Sequence, residues 1–167
     1  MKDKFKQAHM DVAERYAELS SAVRLHVGCI IVKDNRVLSI GYNGMPSGWS
    51  NVCERSDKIT VHSKEDGDEM IKRGYTPVAG TNQGGVYEKL TSLPEVLHAE
   101  TNAIAKLAKS HESGDGAALF VTHSPCIDCA KLIHQAGITE VYFKHEYRST
   151  EGWDFLRRCN IRVEHLE

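Results

Sequence analysis

The stretch "AALFVTHSPCIDCAKLIHQAG", Ala117 to Gly137, decides the fold. Its first six residues read as a buried strand, and "PCIDCAKLIHQAG" reads as the helix that follows directly. Pro125 suits a first helical turn, Ser124 suits an N-cap, and Gly137 suits a stop. Two cysteines sit at the join. Cys126 and Cys129 are three apart at a helix start, so their thiols share one face. The free N–H groups and the helix dipole there favour thiolate, the metal-binding form. The pair is open to three readings: a redox couple, part of a closed structural zinc site, or part of a catalytic metal site.

The flanking segments continue the alternation. "PEVLHAETNAIAKLAKS" predicts a helix with Ala99, Ala103, Ile104, Leu107 and Ala108 on its buried face. "EVYF" (140–143) predicts a strand, "STEGWDFLRRCN" a helix opened by Ser149 or Thr150, and "IRVEHL" a last strand. Upstream, residues 4–20 carry Ala8, Val12, Tyr16 and Leu19 at helical spacing, widened by Met10 and Ala13. "VGCIIV" (27–32) and "RVLSIGYN" (36–43) flank an Asp-Asn turn and predict a hairpin. Residues 44–94 are polar and rich in turn residues, and predict a loop-rich insert holding one short helix. The order α-β-β-insert-α-β-α-β-α-β predicts an α/β fold, a central sheet with helices on both faces, in a single domain over 1–167.

The totals exclude several classes. The 167 residues are 41% apolar and 26% charged, with a formal net charge of −2. That is the composition of a globular chain, long enough for a core without disulfides. There is no basic excess or stripe, which weighs against a polynucleotide partner. The charged N-terminus lacks a signal-type apolar core and no run approaches a membrane span, so a cytoplasmic protein is expected. Five cysteines in a reducing compartment are free thiols or metal ligands by default; Cys29 and Cys159 read as packed thiols.

His98 and Glu100 separate the readings of the cysteine pair. His98 adds a third ligand to Cys126 and Cys129, leaving one tetrahedral position for water, as catalytic zinc sites do. Zinc lowers the pKa of that water towards ~7. A carboxylate beside it, Glu100, can take the proton and deliver it elsewhere. The alternatives keep a place: a redox pair, or a closed site with Cys53 as fourth ligand.

The pattern His-x-Glu followed by Pro-Cys-x-x-Cys resembles the zinc deaminase signature. "HAETNAI", "SPCIDCAKLI" and "GYNGMPSG" together resemble the deoxycytidylate (dCMP) deaminases, including their short viral members, over roughly residues 8–163. The first two motifs are shared with deaminases of tRNA adenosine, guanine and riboflavin precursors, and "GYNGMPSG" narrows the choice. The resemblance implies a three-layer α/β/α cytidine-deaminase-like fold with a mixed five-stranded sheet. It implies conversion of dCMP to dUMP with Zn²⁺ on His98, Cys126 and Cys129 and Glu100 as proton shuttle. It also implies a homohexamer in the cytoplasm (the host's, for a viral member), activated by dCTP and inhibited by dTTP. The effector would lie at Gly41, Tyr42, Asn43 and Gly44, with Mg²⁺ on its phosphates.

The substrate residues are read beside their plainer roles. Asn43 would contact the sugar hydroxyl, or serve as a left-handed turn residue. The Ala99 backbone N–H would meet the pyrimidine carbonyl. Ser124 would touch the phosphate or cap its helix. Arg24 would bind the phosphate or be a solvated charge, and Tyr147 would line the deoxyribose or stack on the base. Some viral relatives carry a second zinc; here Cys53 and His62 are the candidates, since Val96 and Leu97 cannot ligate. The rivals are deamination of another base and a zinc-binding module with no catalysis.

Overall fold

A computed structural model of the chain describes residues 1–81 and 84–167. Helix α1 (Asp3–Ala17) leads into strands β1 (Gly28–Lys33) and β2 (Arg36–Tyr42). Asp34 and Asn35 both have positive φ (52° and 58°), so the expected hairpin closes on a two-residue turn whose twist matches its strands. After the insert come α3 (Ala99–Ala108), β6 (Ala118–His123), α4 (Ile127–Gln135), β7 (Glu140–His145), α5 (Glu151–Arg158) and β8 (Arg162–His165). Strand order is β2-β1-β6-β7-β8. β1 pairs antiparallel with β2 and β6, while β6–β7 and β7–β8 are parallel, so the sheet is mixed as expected.

The layers follow from which side chains each strand points where. Cys29, Ile31, Leu119, Val121, Val141 and Phe143 form one face, covered by α3, α4 and α5 through Ala103, Ile133 and Leu156 among others. Ile30, Val32, Phe120 and Tyr142 form the other face, covered by α1 through Met10 and Ala13. The buried stripe of α1 is not the expected one. Lys6, His9, Met10, Ala13 and Ala17 are buried, while Ala8, Val12 and Leu19 are exposed. Lys6 can take a buried place because its ammonium reaches Glu164 at 2.6 Å, and the His9 ring packs on Phe120.

The insert at 44–94 is not loop-rich. It holds β3 (Glu54–Val61), α2 (Lys64–Lys72), β4 (Thr76–Thr81) and β5 (Gly84–Ser92), with the strands in order β3-β5-β4. β3 pairs with β5 without interruption from Glu54↔Ser92 to Val61↔Gly85. Only the two ends of β3 are buried, and β5 is half-buried along most of its length. Such strands carry no alternation for a reader to find. The helix predicted from Pro94 begins only at Ala99, with His98 as its N-cap.

Candidate active site

Two helices begin at one point. His98 is the N-cap of α3 and Cys126 the N-cap of α4, both extended in backbone (ψ 152° and 168°). Ser124 is therefore not the cap of α4, which starts two residues later than the spacing suggested. His98 Nδ1 lies 3.6 Å from Cys126 Sγ and 3.3 Å from Cys129 Sγ. The three ligand atoms lie within 4.8 Å of one another, and they form the one such His/Cys/carboxylate group among the described residues. A tetrahedral ion with Zn–S and Zn–N bonds of about 2.3 and 2.0 Å needs S···N separations of roughly 3.5 Å. The observed distances and donor types fit zinc. His98 is exposed, so the cluster opens to solvent on one side.

The electrostatics suit a cation. Hydrogen bonding from Cys129 and His98 lowers the Cys126 thiol to about 4. The Cys129 thiol is pushed up by sharing its proton with Cys126 and by burial. The His98 imidazole is raised, chiefly by its hydrogen bond to Cys126. Thr101 Oγ1 lies 3.7 Å from Cys129 Sγ and supports it from α3.

Glu100 follows in the first turn of α3 and is 4% exposed. Burial raises its carboxyl pKa, against the pull of its own backbone N–H and the His98 charge. The Cys29 thiol beneath is raised by burial and by the Glu100 charge, in keeping with a packed, unreactive residue. A carboxyl that stays dry next to three metal donors can hold a proton and return it.

Two glycines allow the helix starts to approach. A Cβ on Gly41 would lie 2.1 Å from the Ala99 carbonyl oxygen and 2.6 Å from the Ala103 nitrogen. A Cβ on Gly152 would lie 1.9 Å from the Pro125 carbonyl oxygen. Gly41 thus seats α3 on β2, and Gly152 seats α5 against the Cys126 turn.

The expected substrate residues divide into groups. Asn43 is 9% exposed and does not adopt a left-handed turn. Its Oδ1 accepts the Val27 N–H at 2.8 Å and its Nδ2 donates to the Leu25 carbonyl at 2.8 Å. One N–H and one lone pair of the amide remain for another partner. Gly44 pairs with Leu97 through both backbone bonds, so the Gly41–Gly44 segment lies beside His98. Asn102 Nδ2 donates to the Tyr42 carbonyl from α3. Ala99 is fully buried and is the first residue of α3, so its N–H has no acceptor within the helix.

Ser124 and Tyr147 come together: Ser124 Oγ accepts the Tyr147 N–H at 2.8 Å, and the Ser124 N–H reaches the His145 carbonyl. The Arg148 guanidinium lies over the Tyr147 ring. His123 and His145, at the ends of β6 and β7, stand ring to ring at 5.0 Å. His123 is lowered by burial and then by the His145 charge. Arg24 is exposed, and its Nη1 donates to Ser92 Oγ at 3.0 Å.

Cys53 and His62 do not come together as ligands of a second zinc. Cys53 and His62 flank β3 at its opposite ends, and a strand of that length separates them by roughly 30 Å. Cys53 is buried, with its Sγ 3.5 Å from Ser21 Oγ, and it is equally unavailable as a fourth ligand to the His98 cluster. One residue escaped the sequence reading. Glu54 is 9% exposed, and its Oε1 accepts the N–H groups of Val23 and Arg24. A lone acid in a polar run gives no warning of this; only the Glu54↔Ser92 register does.

Comparison with known proteins agrees with this geometry. Residues 3–145 match the family model described as the cytidine and deoxycytidylate deaminase zinc-binding region. The deoxycytidylate deaminase of Enterobacteria phage T4 is 33% identical over 166 residues, covering 92% of this chain and 86% of the phage protein. The phage T2 protein of the same name is 34% identical, covering 92% and 88%. The dCMP deaminase of cyanophage S-TIM5, solved with dCMP and dUMP, is 41% identical with a TM-score of 0.77, covering 99% of both chains. Because the match takes in both helix starts that build the cluster, this chain belongs to the cytidine and deoxycytidylate deaminase family.

Proposed function

We propose that the protein hydrolyses dCMP to dUMP and ammonia. The observation that carries this is the His98–Cys126–Cys129 cluster with buried Glu100 in the first turn of α3. Full-length similarity to phage proteins named for dCMP supports the choice of substrate. When bound at the cluster, zinc supplies an acidified water at neutral pH. Glu100 takes one proton from the water and gives it to the ring nitrogen as the water oxygen bonds to the amine-bearing carbon; it then takes the second proton from that new hydroxyl and gives it to the amine, so that the C–N bond breaks, ammonia leaves and the carbonyl of dUMP forms. The Ala99 N–H orients the pyrimidine carbonyl, and the free N–H and lone pair of Asn43 serve the sugar hydroxyl. Ser124 and Arg24 serve the phosphate, with Arg24 as the cation, and Tyr147 lines the deoxyribose or stacks on the base.

The proposal extends to regulation and assembly by resemblance. The enzyme works as a single domain and a homohexamer in the cytoplasm, raised by dCTP and lowered by dTTP, with Mg²⁺ on the effector phosphates. No helix among the described residues is long and apolar enough to cross a membrane. Within Gly41–Gly44, effector contact falls to Tyr42, Asn43 and Gly44, because Gly41 lies under α3. The test is the ultraviolet change on dCMP, CMP, deoxycytidine and guanine side by side, with and without dCTP and Mg²⁺. Turnover of dCMP far above the others supports the reading. Preference for guanine moves the protein to a sister activity, and a flat response to dCTP and dTTP removes the regulatory part.

A further inference from the structure

The loop between α1 and β1 is held from two sides. From the sheet, Asn43 ties Leu25 and Val27, and it sits one residue from Gly44, which pairs with Leu97 next to His98. From the insert, Glu54 Oε1 accepts Val23 N–H at 3.0 Å and Arg24 N–H at 3.1 Å. The Arg24 side chain turns back to Ser92, the register partner of Glu54. A carboxylate this buried, receiving two consecutive amides on one oxygen, makes charge-assisted bonds and fixes the backbone on either side of Val23. The loop carries Arg24 and His26, both exposed, and ends at Val27, whose carbonyl accepts the Asn43 N–H.

We infer that Glu54 is a positioning residue: it anchors the Val23–Val27 loop to the first residue of the insert sheet and so sets where Arg24 and His26 stand relative to the substrate. It touches no reacting atom. Its effect belongs to substrate binding, because a group remote from the reacting carbon contributes about equally to ground and transition states. The inference rests on the dCMP reading for its kinetic half and on geometry alone for its structural half. It also makes the insert a part of the site's support and not a decoration.

The test uses the full chain, zinc-loaded, with Glu54→Ala and Glu54→Gln. Gln keeps the accepting oxygen and Ala removes it. Glu54→Ala is expected to raise KM for dCMP about tenfold while kcat falls less than about threefold, and Gln is expected to restore most of the loss. Amide exchange at Val23 and Arg24 should quicken about tenfold in Glu54→Ala and stay near wild type in Gln. If Glu54→Ala does not fold, Glu54→Asp, whose shorter arm withdraws the oxygen, takes its place with the same expectation. Unchanged exchange, or a loss confined to kcat, overturns the inference. A wild-type protein inactive on dCMP defeats the substrate reading instead, and the exchange experiment still decides whether the clamp exists.

Discussion

Replacing Gly41 by alanine is expected to damage the site from outside it. Ordinary van der Waals contact begins near 3.4 Å, and the added Cβ would stand 2.1 Å from the Ala99 carbonyl oxygen, a shortfall of about 1.3 Å against backbone. No side chain can rotate away, so the first turn of α3 must lift from β2. That turn carries His98 and Glu100. Overpacking of this kind costs about 1–3 kcal/mol. For a chain of this size each kcal/mol moves Tm by roughly 2–4 °C, so a fall of about 2–12 °C is expected. A displacement on the order of 1 Å at a reacting constellation costs on the order of a hundredfold in rate. Thermal melts, zinc content and dCMP turnover without effector would be measured on the same preparation. The competing role for Gly41, contact with an effector, predicts normal basal turnover and an altered dCTP response. A variant with wild-type Tm and wild-type basal kcat would refute the packing argument.

Cys129→Ser should lose zinc and turnover together, measured by metal analysis after dialysis, because oxygen is a poor replacement for thiolate in this donor set. Cys53→Ala should leave metal content at one ion per chain and cost about 1 kcal/mol at most in urea unfolding, since Cys53 lies outside the one three-donor group among the described residues. Ile133→Ala, in the fully buried face of α4 beyond the cysteine turn, should cost about 2–5 kcal/mol by denaturation and leave zinc stoichiometry intact in the folded fraction.

The site proved easier to read in the sequence than the surroundings that hold it. The ligands His98, Cys126 and Cys129 lie at helix starts, where capping signals and short spacing are local. The hairpin at Asp34–Asn35 and the strand-helix run from Ala118 to Gln135 are local too, each announced by turn residues and apolar runs. What escaped is non-local. The stripe of α1 contains Lys6 and His9, which become buried against Glu164 and Phe120, both more than a hundred residues away in the chain. The insert strands carry "ERSDKITV" and a half-buried "GGVYEKLTS", which form a sheet through backbone register and not through an apolar face. Asn43 reads locally as a turn residue or a sugar contact, and nothing local announces that both ends of its amide also bind a loop sixteen and eighteen positions away. Gly41 looked like part of a nucleotide loop, and its missing Cβ makes room for a helix that begins fifty-eight residues later.

The account stands on Glu100 moving protons beside a three-ligand zinc centre during dCMP hydrolysis. The most direct measurement is the initial rate of the ultraviolet change on dCMP for wild type and Glu100→Gln, both with measured zinc. The substitution keeps shape and removes the proton carrier. The expected result is equal zinc content and a rate lower by about 10²–10⁴-fold in the variant. A Glu100→Gln protein that turns over dCMP at the wild-type rate, or a zinc-replete wild type that does not turn it over at all, would contradict the account.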